Sequence, residues 1–507
     1  VAGALRLLLL WVSIRVAHAT GADLSINVYL RTLYQDYSVH ISRSSSEIIS
    51  GITLKVDGAS AVLSSVISIA TSAILMIVII LSLVVIEPMI AFLTMGSFGF
   101  SYLAVAWFSR RRLTSNSESI AKEQDQVVKA LQEGLGAIRE VLLDRSQGVY
   151  IDIYRKAILQ LQRAKGENSF INQAPRFTME ALGMVLIALF VLFLSNRAEG
   201  IEASLPILGL IALAAQRLLP LMQKSYAGWA LVAGNKETLN DVLTLLDQPL
   251  PTWVNEPKSK PLEFKESIII DNVSFRYSDS SPWIVNDFNA VIPKGSRVGI
   301  IGNTGSGKST IMDLLMGLIK PTQGQFMVDG KLLIQDDQRA WQETIAHVPQ
   351  NIFLSDSSIA ENIAFGVHPD NIDLERVQKA AKQAQISDFI ESNVLKYDAI
   401  VGERGVRLSG GQCQRIGIAR ALYKHCNVLI FDEATSSLDL DTERAVMQTI
   451  EDLSKDLTMF IIAHRITTLK ECDKILLIKD GKLIDQGSYK LLIKNNLNFK
   501  HIEKNNN

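Results

Sequence analysis

The sequence predicts two unlike halves in one chain, an all-α transmembrane bundle followed by an α/β domain built around a phosphate-binding loop. Three observations carry that prediction. Nearly all long apolar runs fall before residue 223. A short apolar run then feeds Gly302-Asn303-Thr304-Gly305-Ser306-Gly307-Lys308-Ser309-Thr310. About a hundred residues on stands Leu408-Ser409-Gly410-Gly411-Gln412, followed by an apolar run that ends in an acidic pair, Val428-Leu-Ile-Phe-Asp432-Glu433.

The apolar half reads as helices because spanning a bilayer takes about twenty mostly apolar residues. Candidate spans are 1–18, 62–86, 89–108, 178–195 and 203–222. Arg110-Arg111-Arg112 closes the third of these, whereas the tight turn expected at Glu87-Pro88 carries no basic residue, which puts 20–58 and 109–176 on the inner side. Those two stretches have mixed charge and helical periodicity, as in 120–134 and 150–164. The chain starts with Val1 inside an apolar segment, and we expect a preceding span.

Ionisable residues at membrane depth are costly and therefore functional candidates. Arg6 suits either snorkelling to the surface or a pore role. Arg176 and Glu180 stand one helical turn apart and are placed to pair. Arg217 interrupts an apolar run and precedes Pro220, whose missing N–H should loosen the helix. Packing inside the bundle and contact with cargo are equally open for Arg217.

A helix is expected to continue over 223–248. Pro249, Pro251, Pro257 and Pro261 then mark a linker over 249–265. This gives a membrane domain over 1–248, an α/β domain over 266–500 and a polar tail over 501–507. Strands are expected at 267–277, 296–301, 428–432 and 458–463, with a hairpin in 475–486 turning at Asp480-Gly481. Helices are expected at 309–318, 374–390 and 410–423.

Charge is nearly balanced, 51 basic against 52 acidic side chains, so the basic excess of a nucleic-acid binder is missing. Cys413, Cys426 and Cys472 have neither paired nor metal-type spacing, which argues against disulfides and zinc. In the glycine loop, successive backbone N–H groups can converge on phosphates at the positive end of the next helix. Lys308 can then reach the β- and γ-phosphates, and the Ser309 hydroxyl can ligate Mg²⁺. That motif alone fits GTPases and kinases too.

The order of phosphate loop, LSGGQ and hydrophobic strand with Asp-Glu resembles the nucleotide-binding domain of ABC transporters. Tyr277 resembles the aromatic that stacks on adenine, and Gln350 the glutamine of the loop between the two subdomains. Ser436-Ser437-Leu438-Asp439 resembles the D-loop and His464 the switch histidine. Val401-Gly402-Glu403-Arg404-Gly405 resembles a loop typical of exporters. The resemblance is dense from about residue 267 onward and looser in the membrane half.

A half-transporter of this family has six spans, hence the expectation of one before Val1. The resemblance also implies short transverse helices near 35–44 and 144–151. It implies ATP and Mg²⁺ as ligands, with Ser309, Gln350 and Asp432 around the metal and Glu433 as general base. His464 would hold the γ-phosphate, and Ser409, Gly410, Gly411 and Gln412 would face ATP bound by a second subunit, as a homodimer or heterodimer. The cytoplasmic side of a cell membrane is implied for the ATPase. Pro175-Arg176…Glu180, Gln216-Arg217-Leu-Leu-Pro220 and Ser46-Glu-Ile-Ile-Ser50 resemble the subgroup that flips lipid-linked oligosaccharides, making Arg176 and Arg217 candidate cargo contacts. Lipids, peptides and drugs are the alternative cargo. Five apolar spans exclude the ABC ATPases of DNA repair and translation, and an intact Glu433 argues against a channel that has lost hydrolysis.

Overall fold

The computed structural model describes residues 2–86, 88–195, 200–257, 259–333, 337–432, 440–453, 456–462, 469–496 and 499. The chain folds as two compact units, one of residues 1–35 and 39–255 and the other of 36–38 and 256–507.

In order, the helical part holds α1 (Ala2–Leu33), α2 (Tyr37–Ser42) and α3 (Ser45–Ser50), then a π-helical turn at Gly51–Lys55. It continues with α4 (Val56–Ile86), α5 (Pro88–Gly136), α6 (Ile138–Leu143), α7 (Gln147–Ser195), α8 (Gly200–Gly234) and α9 (Lys236–Leu246). Among the described residues, two stretches are long and apolar enough to cross a membrane, Gly3–Leu33 and Ser45–Val85. They take in all but the end residues of the first two expected spans. The other three fall on α5, α7 and α8, where part of the side chains lie outside the described residues. The apolar periodicity of 120–134 and 150–164 becomes a seam between α5 and α7, with Ile120 and Val127 packed against Ala157, Leu161 and Ala164.

In this unit two expectations change. The helix expected over 223–248 breaks at Asn235, where φ is −121°, and the Asn235 Nδ2 donates to Leu231 O at 2.9 Å. A Cβ on Gly234 would stand 2.7 Å from Asn168 Nδ2, so the break sits where the helices press close. The second short helix lies at 138–143, upstream of 144–151. Gly134 and Gly136 weaken the end of α5, and Arg145 turns the chain at φ 52° into α7. By contrast α8 runs on through Pro220.

An ion triad around a buried lysine braces this unit, and no sequence pattern announces it. The Lys55 ammonium, on the π turn and 2 % exposed as a residue, lies 2.9 Å from Asp125 on α5 and 2.7 Å from Asp241 on α9. Ser50 Oγ donates to Asp125 as well. Lys55 is the buried member, and Asp125 and Asp241, both partly exposed, divide its charge between them.

The second unit runs β1 (Ser267–Phe275), β2 (Val285–Pro293), β3 (Arg297–Gly302), α10 (Lys308–Leu315), β4 (Gln323–Val328), β5 (Lys331–Leu332), α11 (Gln338–Glu343) and β6 (Ile345–Val348). It goes on with α12 (Ile359–Ile363), α13 (Leu374–Gln383), α14 (Ser387–Ser392), α15 (Gly410–Tyr423), β7 (Val428–Asp432), α16 (Leu440–Leu453), β8 (Thr458–Ile462), β9 (Lys474–Lys479), β10 (Lys482–Gly487) and α17 (Tyr489–Asn495). A sheet ordered β10-β9-β3-β8-β7-β6 is parallel except for the β9–β10 hairpin, and a second, antiparallel sheet runs β2-β1-β4-β5.

Both faces of the parallel sheet are covered at its centre, so β7 and β8 are buried along nearly their whole length rather than alternately. Leu429 and Phe431 pack into the core beneath α12, α13 and α15, whereas Val428 and Ile430 pack into the core shared with α10 and the antiparallel sheet. The single helix expected over 374–390 is two helices. Gln385 adopts φ 57°, with Ile386 N–H bonded to Ala381 O and Gln385 N–H to Lys382 O. That double bond pattern ends a helix with a left-handed residue.

Candidate nucleotide site

The phosphate loop leaves the carboxyl end of β3, a central strand flanked by β8 and β9. Ligand sites of open α/β sheets form at that end. Two loop glycines have left-handed backbones, Gly305 at φ 80° and Gly307 at φ 94°. A Cβ on Gly307 would stand 2.8 Å from Ile284 O, whereas one on Gly305 would meet nothing within 4 Å. The loop is thus packed on one side and open on the other. Lys308 Nζ donates to Gly302 O at 2.9 Å and to Asn303 O at 3.1 Å, laying the side chain back across the loop. Asn303, Thr304, Gly305 and Ser309 are exposed, and Thr310, in the first turn of α10, is buried.

Ser306 is 4 % exposed, and its Oγ is buried with no hydrogen-bond partner among the described residues. An orphaned buried hydroxyl costs about 1–3 kcal/mol unless a ligand satisfies it. The open side of Gly305, the exposed loop backbone and this hydroxyl all fit a phosphate chain.

Asp432 ends β7, beside Ile462 of β8, and is half-buried. Burial, together with the Asp432 charge, pushes the Asp313 carboxyl of α10 up to about 6. Two carboxylates in mutual repulsion near the exposed Ser309 hydroxyl suit a divalent cation. Among the described residues no group of three or more His, Cys, Asp or Glu could hold a metal alone. This donor set fits Mg²⁺, which keeps most of its waters and shares phosphate oxygens. Gln350 follows β6 and is exposed. Tyr277 lies just past β1, 53 % exposed, its ring meeting that of Phe275 edge-on at 5.0 Å. Glu433, the 436–439 segment and His464 lie outside the described residues.

Ser409 caps α15. Its Oγ accepts from Gln412 N–H at 3.3 Å, and Gln412 Oε1 accepts from Ser409 N–H at 2.8 Å. The Ser409 hydroxyl proton stays available, and Ser409 and Gly410 are exposed, while Gly411 is half-buried. The helix therefore offers an open, positively polarised end. Arg420, one face of the same helix, is buried enough to be pulled down to about 10. It donates to Asn362 O at 2.9 Å and to Phe353 O at 3.0 Å and lies 4.5 Å over the Phe365 ring.

Sequence reasoning missed four participants here. Asp313 belongs to no short motif, and only the helix geometry brings it to Asp432. The hairpin glycine Gly481, at φ 76°, donates its N–H to Ser306 O at 3.1 Å and so buttresses the phosphate loop. The Asp480-Gly481 turn was legible, but its contact was not. Asn362 and Arg420 likewise carry no spacing that announces their pairing.

The helical unit holds a separate groove of about 740 Å³ between α1, α4 and α8. Leu7, Leu10 and Ile14 supply an apolar wall, and Ser64, Ser68 and Thr71 a ladder of hydroxyls. Arg217, Gln216 and Lys224 of α8 supply charge and donors. Arg176 does not share this lining; its Nε pairs with Glu180 at 2.9 Å on the surface of α7.

A family profile described as ABC transporter transmembrane region matches residues 1–213, and one described as ABC transporter matches 285–436. The chain is 33 % identical over 337 residues to an ATP-dependent lipid A-core flippase of Alkalilimnicola ehrlichii, covering 66 % of this chain and 56 % of that one. It is 41 % identical over 246 residues to the leukotoxin translocation ATP-binding protein LktB of a Pasteurella haemolytica-like species, covering 48 % and 34 %. The chain spans between about a third and somewhat over half the length of such curated relatives. Among solved structures, a bacterial Atm1-family ABC exporter with ATP bound superposes with a TM-score of 0.85 at 25 % identity, covering 97 % of this chain and 86 % of that one. A transmembrane region of this kind makes the chain a multi-pass membrane protein. It belongs to the ABC transporter family, with the arrangement of a type IV half-transporter in which a helical membrane region precedes a nucleotide-binding region.

Proposed function

We propose that the chain is an ATP-driven exporter or flippase that works as a dimer of half-transporters by alternating access. The observation that carries this reading is the pairing, within one nucleotide-binding unit, of an open phosphate loop with an exposed, capped helix end at Ser409. One unit cannot use both on one nucleotide if the helix end serves the ATP of its partner, so two copies, or this chain and a related one, would clamp two nucleotides.

Tyr277 stacks against adenine. Gly302 to Thr310 hold the phosphates through backbone N–H groups and Lys308. Ser309, Asp432 and Gln350 would hold Mg²⁺, which when bound would supply positive charge beside the β- and γ-phosphates. Glu433 takes the proton of the attacking water, and His464 steadies the γ-phosphate. Ser409 with the glycines after it closes the site from the partner. Closure favours one orientation of the membrane helices, and loss of the γ-phosphate restores the other. The nucleotide-binding region then lies in the cytoplasm, the membrane region in the cell membrane, with 1–248, 249–265 and 266–500 as membrane domain, linker and ATPase domain.

For cargo we favour an amphiphile with an anionic head, of the lipid-linked oligosaccharide class. The α1–α4–α8 groove supports this, since it sets an apolar wall beside Arg217, and a guanidinium fork grips a pyrophosphate by two oxygens. Arg176 is a second, independent candidate. Lipids, peptides or drugs are the alternative, and the names of the flippase and toxin-exporting relatives cover both. The test is reconstitution in liposomes with lipid-linked sugars, lipids, peptides and drugs as separate arms. Arg217→Ala should abolish flipping of the lipid-linked sugar while basal ATP hydrolysis continues. Unaltered flipping, or transport confined to peptides, would overturn the cargo assignment and leave the ATPase reading standing.

A further inference from the structure

A second cavity, of about 280 Å³, opens in the nucleotide-binding unit between α13, the end of α15 and the starts of β7 and β8. The phosphate loop lies at the opposite, carboxyl edge of the same parallel sheet, so the two sites do not share residues. The floor is apolar, formed by Ala380, Ala421, Leu422, Leu429 and Leu457. Arg376 and Lys379, three residues apart on α13, and His425 line it as well.

Arg376 is held in place without being satisfied. Its Nη2 donates to Tyr423 O, and its guanidinium lies 4.4 Å over the Tyr423 ring. Its Nε is buried with no hydrogen-bond partner among the described residues. Lys379 has no ion pair among them. His425 stands in the left-handed region at φ 51°, a conformation with a cost for a residue bearing a Cβ. Burial, then the Arg376 and Lys379 charges, hold its imidazole below the ordinary range, so both cations reach the same space. Asp456 is the carboxylate among the described lining residues.

We infer that this cavity is a binding site for a compact organic anion, an oxyanion on a short apolar body, separate from the nucleotide site. The oxyanion takes the Arg376 guanidinium and the Lys379 ammonium, and the apolar body covers the alanine and leucine floor. The volume admits a chain of about six carbons with its headgroup.

Hexanesulfonate is a suitable probe because it stays charged at every working pH. It would be titrated calorimetrically into the full chain in lipid nanodiscs, with a non-hydrolysable ATP analogue already filling the nucleotide site. Saturable binding is expected, weakened about tenfold by Lys379→Gln and by Arg376→Gln and tightened several-fold by Asp456→Asn, with basal ATP hydrolysis unchanged in all three. Lys379 is exposed, so its substitution tests the site even where loss of Arg376 unsettles the fold. In nuclear magnetic resonance the His425 pKa should rise on binding, as an added negative charge requires. No saturable binding, or equal affinity in the wild type and all three variants, would overturn the assignment.

Discussion

At the level of single residues, the nucleotide unit carries its chemistry on groups that are geometrically constrained and electrostatically tuned. Gly307 is irreplaceable for two reasons at once, a left-handed φ of 94° and a neighbouring carbonyl 2.8 Å from any added Cβ. His347 on β6 is tuned differently. Burial keeps its imidazole below the ordinary 6.5, and its Nε2 is buried without a hydrogen-bond partner among the described residues. The folded state therefore resists protonation more than the unfolded chain. Stability is complete above about pH 6.5 and is lost as pH falls through that value towards the depressed folded pKa. Thermal melting of the full chain should thus drop more steeply between about pH 7.5 and 5.5 in the wild type than in His347→Asn. His425, depressed in the same direction, adds a slope common to both proteins. Parallel slopes would refute the role given to His347.

At the level of elements, what the sequence displayed and what it hid divide along a physical line. Helix α15 was legible to its end residues, because the signature glycines mark where it opens, and there Ser409 and Gln412 cap it. Strands β7 and β8 were legible because a strand buried on both faces is apolar throughout. The antiparallel sheet gave only β1, since β2 and β4 mix polar and apolar positions and depend on partners distant in sequence. Breaks in long helices were hidden for a related reason. Gln385 takes a left-handed turn that its residue type does not announce, and Asn235 breaks a pattern whose hydrophobic period continues on both sides. Asp313, Gly481 and Lys55 act through contacts made only after folding. Of the nucleotide site, the loop and signature helix could be read from short motifs, whereas the buttress at Gly481 and the acidic neighbour Asp313 could not. Arg420 shows how one such contact joins elements, tying α15 to α12 and to the chain after β6 through two carbonyls and a ring. Lysine offers one compact ammonium in place of the planar fork that reaches both carbonyls and stacks on the ring. Arg420→Lys should destabilise the nucleotide-binding unit by about 1–3 kcal/mol, read as a lower calorimetric midpoint in the full chain. An unchanged midpoint would mean that the bridge adds nothing to stability.

At the level of the whole molecule, the proposed function has nucleotide do work on the helices of the membrane unit. The proposed geometry requires two copies of the nucleotide-binding unit, each lending its Ser409 helix to the other's phosphate loop. Glu433→Gln removes the proposed base and leaves every phosphate contact, so it should hold the clamped state, with hydrolysis at least about a hundredfold slower. The deciding measurement is the mass of the Glu433→Gln full chain by light scattering, in detergent with ATP and magnesium, with bound nucleotide counted in the same sample. Two chains holding two ATP molecules are predicted. A single chain under those conditions, or a pair without trapped nucleotide, would contradict the clamp.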